Sequence, residues 1–424
     1  MKSFTYLSLG CKVNNYESSA LSTSLISKGY VLDEVNPDVV FINTCSVTAT
    51  ADQKSRQHIR KLMNMYPRAI TVVMGCYAQK NHEYIFNELK PSIVTGTSNR
   101  DQLVELIAKY ELDHIRMDVT TDKSRLFSYE ELGITSYQEN VRAYLKIEDG
   151  CDNFCSYCLI PYVRGKARSR NKDDITKEAK DLISKGYKEI VLTGINVSFY
   201  GKDLGNTSFY KLVKELLDLE GLYRLRISSI EASDISTELI NLYSNPKLAA
   251  HMHIPLQSGS DTVLKRMNRK YTSKELMDKI SLIHQVNPNI AITTDVIVGF
   301  PGETDEEFNQ TYNFIKSGGF AMLHVFPYSP REGTKAYSLP NQVDPKVKKE
   351  RCNKLLDLSD ELCDIYTSKY VNQEVEVLVE QYDKNNKYNI GHTSNYLEVK
   401  IPGLPIKVGT VVKTKFLINH KTSQ

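Results

Sequence analysis

The sequence predicts an α/β protein in three parts: an N-terminal parallel α/β domain, a central partial (β/α)6 barrel and a small C-terminal all-β barrel. Three observations predict it. Short apolar runs alternate with helical patterns through residues 1–110, and a second alternating series of six such units begins at Val141. From about Ser368 the pattern changes to period two, with charged and apolar residues taking turns.

In the first series, Phe4–Leu9 reads as a strand and Asn14 to Lys28 as a helix. Asn14 and Glu17 have capping-box spacing, and Gly29 suits the C-terminal stop. Val39–Ile42 follows, then a helix that ends before Pro67, the strand Ile70–Met74, a helix from Gln79 that stops before Pro91, and Ile93–Val94. Strands alternating with helices belong to a parallel sheet. Residues 111–137 are polar and acidic with weak periodicity and are expected to be a linker.

The second domain is expected over residues 138–366. Its strands are Ala143–Ile147, Glu189–Leu192, Arg224–Ser228, Met252–Ile254, Ile290–Ile297 and Met322–Phe326, with helices such as Lys211–Leu219, Ser273–Ile283 and Asp305–Lys316 between them. Pro345–Tyr366 reads as a helix whose apolar stripe includes or adjoins Cys352 and Cys363, two cysteines best read as core. In the tail, 367–424, the expected strands are Glu374–Glu380, Tyr396–Ile401 and Thr410–Ile418. The tail's eight Lys against five acids give a local charge of +3, which fits either an RNA-binding barrel or an ordinary solvated surface.

Composition narrows the function classes. Charged residues at 25% and hydrophobic residues at 41% exclude wholesale disorder. With 54 basic and 51 acidic residues the net charge is +3, so any nucleic-acid surface must be a local patch. No apolar run approaches the ~18 residues of a membrane span. Met1–Gly10 is too short for a signal-peptide core, so a cytoplasmic protein with no membrane partner is expected. In that reducing setting cysteines more often bind metal than pair as disulfides.

Cys11, Cys45 and Cys76 each fall one to three residues after an expected strand end. Parallel strands share a direction, so the three thiols should meet at one carboxyl edge, where open α/β sheets bind ligands. A shared metal site and three inert core thiols are the alternatives. Cys151, Cys155 and Cys158, in C-x3-C-x2-C spacing, follow the first strand of the second series. Three thiolates suit an iron–sulfur cube with one open iron. A structural zinc would want a fourth ligand, and the next histidines, His251 and His253, lie far downstream.

This C-x3-C-x-aromatic-C motif resembles the radical S-adenosylmethionine (SAM) superfamily. The resemblance implies a 4Fe-4S cluster on these cysteines, SAM on its open iron, and Tyr157 packed near the adenine or the cluster edge. Elements of the expected order follow later strands: Thr193-Gly194-Ile-Asn196, Ser228-Ser229-Ile-Glu231, Pro255-Leu-Gln257-Ser258-Gly259 and Asp295-Val-Ile-Val-Gly299. By resemblance Gly194, Asn196, Ser229, Glu231, Gln257, Ser258, Asp295 and Gly299 are the candidate SAM contacts.

Leu9-Gly-Cys11-Lys-Val-Asn14, Asn43-Thr-Cys45-Ser-Val-Thr48 and Gly75-Cys76-Tyr-Ala-Gln79 resemble the N-terminal domain of the methylthiotransferases, whose barrel is followed by a β module called TRAM. The words around Lys12-Val13, Asp149-Gly150 and Arg164-Gly-Lys-Ala-Arg168-Ser-Arg170 are most similar to the branch acting on N6-threonylcarbamoyladenosine at position 37 of tRNA. The resemblance implies a second 4Fe-4S cluster on Cys11, Cys45 and Cys76 and methylthiolation of C2 of that base. The expected partners are a tRNA anticodon stem-loop, a one-electron donor such as flavodoxin or ferredoxin, and a sulfur source, with the enzyme a monomer. The same chemistry on isopentenyladenosine or on a ribosomal-protein aspartate is the near alternative, and a non-catalytic iron–sulfur RNA-binding protein the distant one. Arg164, Lys166, Arg168, Arg170 and Lys172, with no acid among them, read as a phosphate clamp beside the site mouth.

Overall fold

The computed structural model describes residues 1–122, 126, 128–133 and 141–417. Its first sheet contains β1 (Ser3–Ser8), β2 (Val31–Leu32), β3 (Val39–Thr44), β4 (Ile70–Gly75), β5 (Ile93–Gly96) and β6 (Met117–Asp118). They run parallel in the order β2-β1-β3-β4-β5-β6. The period-two alternation divides the sheet's apolar residues between two helix layers. Phe4, Phe41, Val72 and Met74 pack with Leu21, Leu25, Leu103 and Ile107, whereas Val40, Ile42, Val73 and Val94 pack with Ile59, Tyr77 and Ile85. The expected capping box does not form. The helix Lys12–Ser27 begins at the Cys11 cap, and the Asn14 amide donates to the carbonyls of Leu9 (2.7 Å) and Thr44 (3.2 Å).

The second series gives β7 (Arg142–Lys146), a short antiparallel pair of β8 (Glu148–Asp149) with β9 (Arg168–Ser169), then β10 (Glu189–Thr193), β11 (Arg224–Ile227), β12 (His251–His253), β13 (Ala291–Val298) and β14 (Met322–Pro327). Two parallel triplets, β7-β10-β11 and β12-β13-β14, are joined by single parallel bridges at Leu225–Leu248 and Ser229–His253. Six strands in chain order form the partial barrel. Leu145, Ile190, Leu192, Leu225, Ile292 and Val296 meet the buried faces of the outer helices, including Leu212, Leu276, Ile283, Phe308 and Leu355. Capping boxes at Thr272/Glu275 and Thr304/Glu307 start two of these helices. Cys352, on the helix Pro345–Ser368, packs against this core as expected.

The tail folds as β15 (Glu374–Asp383), β16 (Tyr388–His392), β17 (Glu398–Pro402) and β18 (Val411–Lys415), antiparallel in the order β17-β16-β15-β18. The expected strands recover three of these. β16 was missed because Asn389 and Gly391 interrupt its apolar alternation, and Ile418 lies outside the described residues. The module seats on the amino ends of the barrel strands, where Val377, Leu397, Val399 and Phe416 pack with Ala291, Ala321 and Tyr366. Among the described residues, no helix is long and apolar enough to cross a membrane.

Candidate functional site

Cys11 caps the helix Lys12–Ser27, Cys45 follows β3, and Cys76 opens the short helix Cys76–Lys80 after β4. All three therefore stand at the carboxyl edge of the first sheet. Their loops approach closely: a Cβ on Gly10 (φ +98°) would lie 2.6 Å from both Cβ and Sγ of Cys45, so only glycine fits there. The Ser55 hydroxyl donates to the Cys45 carbonyl (2.9 Å) and accepts from its N–H (3.3 Å).

Cys151, Cys155 and Cys158 lie on the loop after β8. Ser156 pins that loop, its N–H to the Met267 carbonyl (3.0 Å) and its hydroxyl to that of Arg266 (2.9 Å). The sulfurs accept hydrogen bonds, Cys155 from Arg269 Nη1 and Cys158 from the Ile160 N–H, both at 3.4 Å. Burial pushes the Cys76 thiol up to about 11 and those of Cys151 and Cys158 up to about 12. Neighbouring thiols add to the shift. Cys76 is raised by Cys11 and Cys45, and Cys158 by Cys155 and also by Cys76. The two triads adjoin where the helix Cys76–Lys80 packs against the helix Ile160–Arg164. Such thiols stay protonated unless a cation stabilises the thiolate, which a bound metal would supply.

The spacing of the thiols bears on whether they hold a single ion. Among the described residues, the group of His, Cys, Asp or Glu whose ligand atoms all lie within 4.8 Å of one another is His253, Asp295 and His324, and neither cysteine triad closes that far. Thiolates on one tetrahedral zinc at ~2.3 Å would sit closer than that. Neither triad is therefore drawn in to the spacing of a single tetrahedral zinc.

Around the second triad the expected SAM contacts divide. Glu231 accepts from Arg269 Nη2 (2.6 Å) and from Asn153 Nδ2 (3.2 Å), which ties it to the cysteine loop. The Asn196 N–H donates to Glu148 (2.8 Å), and a Cβ on Gly194 would lie 2.9 Å from the same carboxylate. Glu148 is fully buried and its pKa is raised well above the usual range by that burial. Ser229 and Asp295 line a cavity, and Gln257, at φ +64°, bonds through its backbone to β13. Tyr157 packs beside Phe300 and Tyr328. The Ser258 side chain is turned elsewhere, and Gly299 offers backbone alone. The Ser258 hydroxyl is buried against Thr311 (3.1 Å), and a Cβ on Gly299 would meet the Lys348 side chain at 2.3 Å, so both face outer helices.

The phosphate clamp is corrected outright for three of its cations. Arg164, Arg168 and Arg170 are 0%, 6% and 2% exposed, while Lys166 remains exposed. Arg164 pairs with Glu17 (2.8 Å) and Asp149 (3.0 Å), and its Nε donates to Cys76 Sγ (3.2 Å). Lys146 pairs with the same two carboxylates at 2.8 and 2.7 Å, and Arg100 with Glu17 at 2.6 Å. Arg168 donates to the carbonyls of Arg164 and Lys166, and Arg170 pairs with Glu131 and Glu178. Arg164, Lys146 and Arg100 join the first domain to the barrel from inside. Glu17, Arg100 and Lys146 carried no sequence signal, because a single buried charge on a helix or strand looks like any surface charge.

Between the barrel strands and the β module lies a cavity of about 470 Å³, reached by Lys12, Arg226, His251, His253, His324 and Tyr396 among others. Cys363, read as core, also lines it.

Known proteins share this architecture. The model of the radical SAM superfamily matches residues 145–315, and that of the uncharacterized protein family UPF0004 matches residues 3–96. Threonylcarbamoyladenosine tRNA methylthiotransferase MtaB of Bacillus subtilis is 44% identical, covering 98% of this chain and 94% of its own. The protein of the same name from Aquifex aeolicus is 37% identical over 96% of this chain and 98% of its own. The radical SAM methyltransferase TsrM of Kitasatospora setae, solved with cobalamin and a 4Fe-4S cluster, superposes with TM-score 0.62 over 80% of this chain and 77% of that one. At 14% identity it speaks for the fold alone. With such similarity to curated relatives along nearly its whole length, the chain belongs to the radical SAM methylthiotransferase family, in its MtaB branch, and is an enzyme of that type.

Proposed function

We propose that the enzyme methylthiolates C2 of N6-threonylcarbamoyladenosine at position 37 of tRNA, using SAM and two 4Fe-4S clusters. The observation that carries the reading is the pair of thiol triads at two adjoining sheet edges, linked by Arg164, which follows the second triad and donates through Nε to Cys76 Sγ at 3.2 Å. The activity printed for the MtaB relatives supports the substrate. Cys151, Cys155 and Cys158 would hold the SAM-binding cluster, and Cys11, Cys45 and Cys76 the sulfur-bearing one. When bound, these groups supply one-electron cleavage of SAM, which removes hydrogen from an unactivated aromatic carbon, and the sulfur that replaces it.

The chain's own residues do the placing. The Asn153–Glu231–Arg269 chain beside Cys155 and the Gly194–Asn196 backbone beside Glu148 offer polar contacts for SAM. Ser229, Gln257 and Asp295 extend that edge toward the cavity. The buried web of Arg164, Lys146, Glu17 and Asp149 fixes the two triads relative to each other, since effective reaction depends on held geometry. Unstacking the base from the anticodon stem-loop costs about a few kcal/mol, which contacts to the RNA backbone must offset. Lys166 and the β module are the proposed contributors, with flavodoxin or ferredoxin as electron donor and a separate sulfur source. The proposed division is 1–110 for the auxiliary cluster, 111–137 as linker, 138–366 for radical chemistry and 367–424 for RNA.

Mass spectrometry of nucleosides from cells lacking the protein tests this. The 2-methylthio-N6-threonylcarbamoyl nucleoside should vanish and return with the wild type but not with Cys11→Ala or Cys155→Ala. Loss of the isopentenyl product instead would move the substrate to that base. If neither nucleoside changed, the tRNA reading would fail.

A further inference from the structure

The cavity runs the length of the later barrel strands. Ser229 and Phe326 stand at their carboxyl ends, His251 and Ala291 at their amino ends, and Asn395, Tyr396 and Leu397 of the β module form the floor. Lys12, the residue after Cys11, enters its wall. The Lys12 backbone thus joins one wall to a cysteine triad, while its long side chain shares the cavity with Arg226 and His251 at the deep end, toward the amino ends of the strands.

That deep end holds buried nitrogens without partners. Arg226 is 1% exposed, and its Nε and Nη2 donate to Glu189 at 2.7 and 3.1 Å. Its Nη1 is buried with no partner, as is Nδ1 of His251, whose Nε2 lies 3.0 Å from the Thr293 hydroxyl. Glu189 is shared with Arg142 (2.8 Å) and Arg224 (3.2 Å), so one carboxylate serves three guanidinium groups. Glu376 and Glu380 pair with Arg224 and Arg142 and leave Arg226 unserved. The carboxylate in the cavity wall, Asp295, pairs with His253 at 3.2 Å. Among the described residues Lys12 has no ion pair. A buried donor on a charged group without an acceptor is costly, and an anionic oxygen relieves that cost where an apolar ligand cannot.

We propose that Arg226, His251 and Lys12 form a carboxylate-binding subsite for the N6 substituent of the target base. The subsite makes the enzyme select a base whose substituent ends in a carboxylate over one ending in a prenyl group. It rests on the proposed function, which supplies the base, and adds the residues that recognise its acidic end. The adenine ring would enter with C2 toward the cysteine edge and the threonyl group toward the floor. The discrimination follows the rule that a site built for a polar group rejects the analogue lacking it, because its own buried donors are then stranded.

The test varies the ligand before the protein. Anticodon stem-loop RNA is made with threonylcarbamoyladenosine, with its carboxamide, and with isopentenyladenosine at position 37. Binding to the cluster-loaded wild-type enzyme is followed by fluorescence anisotropy. The acid should bind about tenfold or more tighter than the carboxamide, and the gap should shrink in Lys12→Gln and Arg226→Gln. Arg226 also holds Glu189, so the wild-type comparison and Lys12→Gln keep the test decisive if Arg226→Gln folds poorly. Equal binding of acid and carboxamide by the wild type, or a gap unchanged in Lys12→Gln, overturns the subsite. Failure to methylthiolate the acid RNA sinks the proposed function instead, whereas conversion of acid and carboxamide alike sinks only the subsite.

Discussion

Arg164 and Arg226 are both all but fully buried, at 0% and 1% exposure, yet they sit in opposite electrostatic settings. Around Arg164 the anions suffice: Glu17 and Asp149 answer Arg164 and Lys146, and Glu130 helps answer Arg100. Around Arg226 the one fully buried carboxylate, Glu189, is divided among three arginines, the more exposed Glu376 and Glu380 reach only Arg224 and Arg142, and Arg226 Nη1 goes without a partner. Sequence shows two arginines. The count of buried counter-ions separates a structural clamp from a surface prepared for an anion.

The clamp breaks most severely. Arg164→Met leaves Glu17 and Asp149 short of a cation inside the protein, and removing one partner of such a pair costs about 3–5 kcal/mol. Denaturant unfolding should show a midpoint lowered accordingly. Loss of less than about 1 kcal/mol would mean that Arg100 and Lys146 already satisfy both carboxylates.

Glu189 gives a pH signature to the other setting. The surrounding arginines outweigh its burial and hold its carboxyl down at about 2 against an ordinary 4.5. A depressed carboxyl contributes stability that is complete above its unfolded pKa and is lost as pH falls through its folded one. About 3 kcal/mol should therefore disappear between pH 5 and 2 by this group alone. Glu189→Gln should lower stability at neutral pH and flatten that acid limb. An acid limb as steep as the wild type's would show that other carboxylates dominate it.

The comparison also explains what sequence could and could not tell. Strand–helix alternation and the strand-end phase of Cys11, Cys45 and Cys76 depend on local order, so sheet, barrel and cysteine edges were legible. The Arg164–Arg170 word misled because cation spacing carries no record of Glu17, which is distant in sequence and adjacent in space. Lys12, His251 and Tyr396 come from three separate parts of the chain and share a cavity only after the β module docks on the barrel's amino end. Ser258 and Gly299 lie within a plausible word, but both sit in loops beyond the strand ends, where local order does not set which way a side chain turns.

Lys166 sharpens the comparison from the solvent side, with the smallest effect. It is the exposed member of the basic word between two buried arginines, and its ammonium has no ion pair among the described residues. Lys166→Ala should change stability by less than about 0.5 kcal/mol, as surface substitutions do. If it touches a phosphate, it should weaken anticodon stem-loop binding regardless of the base at position 37 and reduce the salt-dependence slope by about 1. A subsite residue such as Lys12 should behave differently, with a loss that depends on whether the N6 substituent carries a carboxylate. A Lys166→Ala enzyme with an unaltered salt slope would leave the anticodon loop to be held elsewhere, and the lysine-rich β module would be the next surface to probe.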